Sequence, residues 1–330
     1  MTLILGTRDG VWLADAASVG EAERVCDAET VYGLARTADG WLAAAGTGLY
    51  RGDDAATTWE RLDVPETVVT AAAALPGADG DGEDAGGAAA GTDERLFAGT
   101  RPARLFASDD GGDTWEEVEG FASLPSREQW WNPDVTPHVR SLSTHPDAPG
   151  RLVAGIDGGG VHTSADRGAT WDERCTAVSG FVHEVRLLTP EEWVVASDAG
   201  IFRTRNAGRW WDYLYGDAME HRYFRGVAVE DGADGPVVYA GGARSHPPVW
   251  TGERGADAAL YRFDLTERAP EVSQEPYPGE PREIALSGTA TPEGVVVGTN
   301  EGRLLRRVDD GWTRLGTVPG GPQIRAARTL

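Results

Sequence analysis

Lysine is absent. All 30 basic residues of the 330-residue chain are arginine, set against 53 Asp and Glu, for a formal net charge of −23. So acidic a surface repels nucleic acid and anionic membranes as a whole, which argues against both as partners. Cysteine is nearly absent too: Cys26 and Cys175 stand far apart, without metal-ligand spacing, and read as free thiols packed as small core residues. No run approaches the ~18 consecutive apolar residues of a membrane span. The first six residues lack the basic and long apolar stretches of a secretory leader. These absences predict a cytoplasmic, reducing setting. The six histidines (His138, His145, His162, His183, His221, His246) show no His-x-x-x-His spacing and no Cys neighbours, so neither a metal site nor a cofactor is expected. No Gly-x-Ser-x-Gly elbow occurs, and Asp157-Gly158-Gly159-Gly160 is a turn, because no Lys and no helix follow it. Amphipathic helical periodicity is missing as well.

What the chain has instead is 12 Trp, 8 Tyr, 7 Phe, 44 Gly and a repeat. A short apolar strand ends in Ala-Gly-Thr or a variant, a Gly turn follows, and a second strand such as Leu-Tyr-Arg leaves it. The anchors are Gly6, Gly46, Gly99, Gly155, Ala196, Gly241 and Gly298, spaced by 40, 53, 56, 41, 45 and 57 residues. From Gly298 through the C-terminus and round to Gly6 is 38 residues, so the circle closes with one further unit of ordinary length. Within a unit, residues 138–144, 151–156, 161–164 and 170–174 alternate apolar and polar positions between Gly and Asp turns, which predicts four strands, a to d.

Four-stranded units at this period are propeller blades. The expected fold is therefore all-β, a seven-bladed β-propeller formed by residues 1–330 as one domain. Residues 323–328 match the pattern of strand a, which the first blade lacks. The C-terminal strand should complete the N-terminal blade. An acidic, Gly- and Ala-rich insertion at about 76–94 reads as a solvated loop.

The turn between strands c and d carries the motif Ser-x-Asp-x-Gly-x-Thr-Trp, at residues 108–115 and 164–171, with degenerate copies at 54–59, 204–211 and 309–312. It resembles the Asp-box, or BNR, repeat of sialidases and of other propellers with WD40- or YVTN-like architecture. Among these are the photosystem II assembly factor and a large group of prokaryotic BNR proteins labelled glycosyl hydrolases from the repeat alone. The resemblance implies that Asp110 and Asp166 are structural. The lysine-free acidic composition resembles that of proteins from extreme halophiles, which implies a working solvent of molar salt and a Debye length of ~3 Å.

Antiparallel strands send alternate loops to opposite faces. The d–a and b–c loops share a top face; the Asp boxes lie below. The long loops at 116–137 (Trp130, Trp131), 212–222 and 243–258 (His246, Trp250) are all assigned to the top. Near the top of strand a, one repeat column reads Arg325, Tyr32, Val69, Arg140, His183, Arg225 and Arg282, and the next holds Glu184 and Glu283. A cationic ring inside an acidic protein is suited to a carboxylate, phosphate or sulfate. The expected partner is an anionic small molecule, a glycan or an acidic protein segment, bound by Arg140, His183, Arg225, Arg282, Arg325 and the aromatics Trp130, Trp131 and Trp250. In the alternative, the arginines form a closed ion network with Glu184, Glu283, Asp157 and Asp198. The sialidase resemblance implies a glycoside hydrolase acting on an acidic sugar, with Arg140, Arg225 and Arg282 holding a carboxylate. Tyr32 paired with Glu184 or Glu283 would be the nucleophile, Asp157 or Asp198 the acid, and the tryptophans would stack on the sugar. The chain departs from that family in lacking its early Arg-Ile-Pro segment and in having seven units rather than six.

Overall fold

Close approach at a central axis sets the architecture. The computed structural model describes all residues except 78–93, 175–179, 218, 233–234, 248–249, 251–254, 268, 280–281 and 310. The 76–94 insertion and Cys175 therefore lie wholly or largely outside the described residues. Seven four-stranded antiparallel sheets form the blades. The innermost strands are Ile324–Thr329, Val31–Arg36, Val69–Leu75, His138–Ser143, Val182–Leu187, Tyr223–Gly232 and Ala285–Thr289. As expected, Ile324–Thr329 pairs with Thr2–Thr7 and completes the N-terminal blade. Among the described residues, helix is confined to single turns, such as Glu119–Ala122.

The repeat glycines have one physical reason. Each sits on the second strand of a blade where the next blade's innermost strand arrives. A Cβ on Gly99 would lie 2.4 Å from Val139 Cγ1, one on Gly155 2.6 Å from Val182 Cγ1, and one on Gly298 2.4 Å from Ile324 Cγ2. At Gly6 the intruding atom is Val31 Cγ1, at 2.7 Å. The second blade fills this slot with Ala44, which packs with Val69, so the anchor there is Ala44 and not Gly46. Away from the axis the sheets diverge, and larger side chains fill the wedges. Among the described residues the apolar core is accordingly seven slabs, one between each pair of neighbouring blades, with a smaller cluster of Tyr223, Ala243, Ala256, Ile284 and Leu286 beside the sixth and seventh blades.

The Asp boxes fold as local hydrogen-bond nets. The Thr114 amide and hydroxyl donate to the Asp110 carboxylate at 2.9 and 2.5 Å, and the Gly112 amide donates to Ser108 Oγ at 2.8 Å. Trp115 Nε1 donates to the Gly112 carbonyl, turning the indole into the blade interface. Asp166, Thr170, Ser164, Gly168 and Trp171 repeat the pattern. In the second blade the turn carboxylate is Asp53, one residue before the expected start of that copy. These bonds hold Asp53, Asp110 and Asp166 below the ordinary carboxylate range.

Two outcomes test this account. Gly99→Ala should cost about 1–3 kcal/mol by overpacking against Val139, whereas Gly20→Ala, with nothing within 4 Å of the added methyl, should leave the denaturation midpoint unchanged. Truncation before Gln323 leaves the edge of Thr2–Thr7 without its partner strand and uncovers the Ala285–Thr289 flank of the preceding, seventh blade. Cooperative melting should be lost and the chain should aggregate on size-exclusion chromatography; a monomer with an unaltered melting temperature would contradict the closure.

Candidate functional site

Each innermost strand carries a β-bulge close to its top end. A bulge leaves one residue out of the ladder and re-aims its side chain; here Arg325, Tyr32, Arg140 and Arg225 border the pore, while Thr70 and His183 bond the Val139 and Phe224 carbonyls of the next blade and Leu286 packs with Tyr223 and Ile284. The bulged residues are Arg325, Tyr32, Thr70, Arg140, His183, Arg225 and Leu286. The column read from the repeat is thus corrected at two slots. Thr70 replaces Val69, because Val69 pairs with Thr100 as Val139 pairs with Ile156. Leu286 replaces Arg282, which is exposed and three residues ahead of its strand, where its carbonyl accepts a bond from Asn300.

The ring divides two spaces. Above it opens a funnel of about 580 Å³ walled by Tyr32, Arg101, His138, Asp157, Asp198 and Arg244, among others, all on top-face loops or strand starts. Below it runs a narrow channel of about 110 Å³, into which Arg186 and Arg328 reach. Arg140, His183, Arg225, Arg325 and Tyr32 border both spaces.

The acidic residues expected to pair with the ring are engaged elsewhere. Glu184 accepts the Val227 amide at 3.0 Å and pairs with Arg186. It belongs to a device that recurs around the pore, in which a side chain of one blade bonds the inner backbone edge of the next. Thr70 donates to the Val139 carbonyl at 2.6 Å, Ser141 accepts the Val185 amide at 3.1 Å, and Ser287 donates to the Ile324 carbonyl at 3.3 Å. Glu283 is fully buried and pairs with Arg303. Asp157 accepts from Asn132 Nδ2 at 2.7 Å, and its other oxygen lies 3.8 Å from His138 Nε2, too far for a hydrogen bond.

A fourth arginine joins the throat from a loop. Arg101 follows the anchor Gly99 by two residues on the b–c turn. Its Nη2 donates to Tyr32 Oη at 3.0 Å, and its guanidinium and that of Arg325 lie 5.7 and 5.5 Å from the Tyr32 ring centroid. Arg225 donates to Tyr223 Oη at 2.9 Å and Arg325 to Gln323 Oε1 at 3.1 Å. Arg140 makes no hydrogen bond or ion pair among the described residues, and none of the four pairs with a carboxylate there. Burial, then the neighbouring guanidiniums of Arg225 and Arg325, push Arg140 down to about 9; burial and Arg225 push Arg325 down to about 10. Both remain charged at neutral pH. His138 is depressed to about 3 and His183 well below its ordinary value, by burial first and by these arginines second, so both imidazoles are neutral. The throat thus presents hydrogen-bond donors and an excess of positive charge, with Asp157 the carboxylate whose charge is felt at Arg140.

The aromatics are placed differently from expectation. Trp130 packs in the wedge between the third and fourth blades, against Phe121 and His162, and its indole donates to Ser126. The helical turn that carries Phe121 fills that same wedge, so only the last part of the 116–137 loop, from Asn132, reaches the funnel. Trp131 is 65% exposed outside the funnel wall. Trp250 stands edge-on to Tyr223 and is tied to the Ser245 carbonyl at 2.7 Å. Sequence reasoning missed Arg101, although its signal was present. The residue two past each anchor reads Arg8, Arg101, Asp157 and Asp198 in four blades, a second column on the b–c turns.

No protein-family model matches the sequence, and no curated protein matches it. Solved structures do. A GH74 enzyme from Niastella koreensis gives a TM-score of 0.64 at 14% identity, over 94% of this chain and 51% of that one. An ancestral GH74 enzyme gives 0.62 at 15% identity, over 87% and 38%. The WD40 repeats of RRP9 give 0.59 at 13% identity, over 90% and 82%. The chain spans about half or less of the length of these GH74 enzymes. At such identities the likeness is one of fold: a seven-bladed propeller related to several propeller families. The Asp-box resemblance rests on the turns themselves.

Among the described residues, no three His, Cys, Asp or Glu side chains are grouped to hold a metal, and no helix is long and apolar enough to cross a membrane.

Buried neutral histidines give a testable acid sensitivity. His162, wholly buried, is depressed to about 4, and His138 to about 3. A depressed imidazole favours the fold above its unfolded value of 6.5. As pH falls below that value the unfolded chain takes up the proton first, and stability is lost towards pH 4. Each such histidine should cost roughly 2 kcal/mol between pH 7 and 5. Thermal melts at the two pH values should show this drop, made smaller in His162→Gln; a melting temperature flat over that range would contradict neutral buried imidazoles.

Proposed function

We propose that the protein binds an anionic ligand at the arginine-lined throat of its top-face funnel. The observation that carries this reading is the set of four guanidiniums, Arg101, Arg140, Arg225 and Arg325, facing one cavity: three have neutral tyrosine or glutamine partners, Arg140 has none, and among the described residues no carboxylate pairs with any of them. In a chain with an excess of acidic residues, a closed ion network would have had carboxylates to spare. Glu184 and Glu283 are instead committed to the pore wall and to Arg303. The ligand is an anionic small molecule, a glycan or an acidic protein segment, and the acidic, lysine-free composition fits a cytoplasmic protein working in concentrated salt.

A second reading is a glycoside hydrolase acting on an acidic sugar. Asp157 and Asp198 line the same funnel as the arginines, and this is the reading that the GH74 structures support. Glycoside hydrolysis uses two carboxyl groups flanking the scissile bond. Tyr32 does not have Glu184 or Glu283 beside it as a nucleophile partner: its hydroxyl accepts from Arg101. Asp157 and Asp198 are therefore the acids that this reading requires.

A thermal-shift screen in molar KCl separates the cases, with sialic and uronic acids, sugar phosphates, nucleotides and dicarboxylates as ligands. A ligand at 100 times its Kd stabilises by about 2.7 kcal/mol, a shift of several degrees. That shift should vanish in Arg140→Ala/Arg225→Ala. Without ligand, the double variant should melt no lower than the wild type, since it relieves repulsion between cations. No shift with any ligand, together with a markedly lower melting temperature of the variant, would make the ring a structural element and overturn the proposal. Turnover of an aryl glycoside of the bound sugar, abolished by Asp157→Asn or Asp198→Asn, would favour the hydrolase.

A further inference from the structure

Resting on that anion-binding reading, we infer that the throat takes the phosphate of a small phosphate monoester, with the organic part of the ligand lying upward in the funnel. The donors surround the pore axis. Arg325 comes from the first blade, Tyr32 from the second, Arg101 from the third, Arg140 from the fourth and Arg225 from the sixth. A carboxylate offers two oxygens in one plane and is satisfied by a single guanidinium fork approaching from one side. Donors converging from several sides match a group with three terminal oxygens disposed around one axis, which is the geometry of a phosphate monoester whose ester bond points along the pore.

Charge points the same way. Four guanidiniums at the throat, against the carboxylates of Asp157 and Asp198 on the funnel wall, leave more than one positive charge to balance. A phosphate monoester carries about −1.5 to −2 at neutral pH, where a carboxylate or a sulfate ester carries −1. The tyrosines add to this. Tyr32 and Tyr223 each accept from an arginine, so their own O–H groups are left to donate to an acceptor oxygen. The direction of the ligand follows from size. The channel beneath the ring, about 110 Å³, has no room for a sugar or a larger group, whereas the funnel above, about 580 Å³, does. Its wall includes Pro133, Val135, Phe181 and Pro247, apolar surface for the organic part.

Isothermal titration calorimetry tests this, in the lowest KCl concentration that keeps the protein folded. Glucose 6-phosphate, glucose 6-sulfate, glucuronate and inorganic phosphate are compared on the same protein. The phosphate ester should bind at least tenfold more tightly than the sulfate ester or glucuronate, and more tightly than inorganic phosphate. Its affinity should fall tenfold or more in Arg140→Ala, and severalfold in Tyr32→Phe, which removes a donor and no charge. Glucuronate binding as tightly as the phosphate ester would overturn the phosphate assignment and leave the anion-binding reading standing. Inorganic phosphate binding as tightly as the ester would overturn the orientation with the organic part in the funnel. Binding unchanged in both variants would place the ligand elsewhere and overturn the inference. No binding by any of the four would count against the inference and the anion-binding reading together.

Discussion

Seven sheets can be gathered round one axis only if their backbones come close there. That constraint is met at a single contact, repeated: a glycine or alanine on the second strand of one blade receives a valine or isoleucine from the innermost strand of the next. Gly6 with Val31, Ala44 with Val69, Gly99 with Val139, Gly155 with Val182 and Gly298 with Ile324 are five instances. The rest of the architecture follows. The wedge outside each contact becomes an apolar slab, and the indoles of the Asp boxes fill its lower margin. Between the third and fourth blades the wedge also takes in an extra turn carrying Phe121, and then Trp130.

The same close approach determines what can line the pore. Inner edges of the first strands leave backbone groups without a ladder partner, and such groups must find one. They find it in Thr70, Ser141, Glu184 and Ser287, each reaching across to the next blade. Because neutral hydroxyls and one glutamate close these edges, the pore needs no ring of ion pairs to hold it together. The bulge directly above is then free to point Arg140, Arg225 and Arg325 into the cavity, and Glu184, the acid nearest in sequence to the ring, is tied down below it.

The fold was legible because the close-packed contact imposes glycine at a nearly fixed period, and the Asp-box turns mark the opposite face with residues whose bonding is local. The site was legible only in part. A bulge shifts register by one residue without changing composition, so Val69 and Thr70 cannot be told apart by alignment alone. The irregular stretch before Ala285 likewise put Arg282 in a slot that Leu286 holds. Arg101 lay in a column two residues past the anchors, on turns rather than strands, where periodicity carries no weight. Trp130 and Trp250 carry no sequence mark that separates an indole packed in a wedge from one offered to a ligand. The burial of the first and the hydrogen bond to Ser245 of the second come from tertiary packing.

A throat whose arginines pair with no carboxylate among the described residues opposes folding. Arg140 and Arg325 are desolvated and repelled by neighbouring guanidiniums, as their lowered values record. Nothing in the scaffold requires this, since the inner edges are closed by other groups and carboxylates are plentiful. Tyr32 supplies the organisation without neutralising the charge: its ring lies near both Arg101 and Arg325, and its hydroxyl fixes the first. Screening does not remove the cost either. Concentrated salt mutes charges on the open surface, but it acts much less on a group buried in a narrow throat. On the anion-binding proposal that cost is offset when the charge is answered by something that comes and goes, which is the difference between a pore that is merely filled and one that binds.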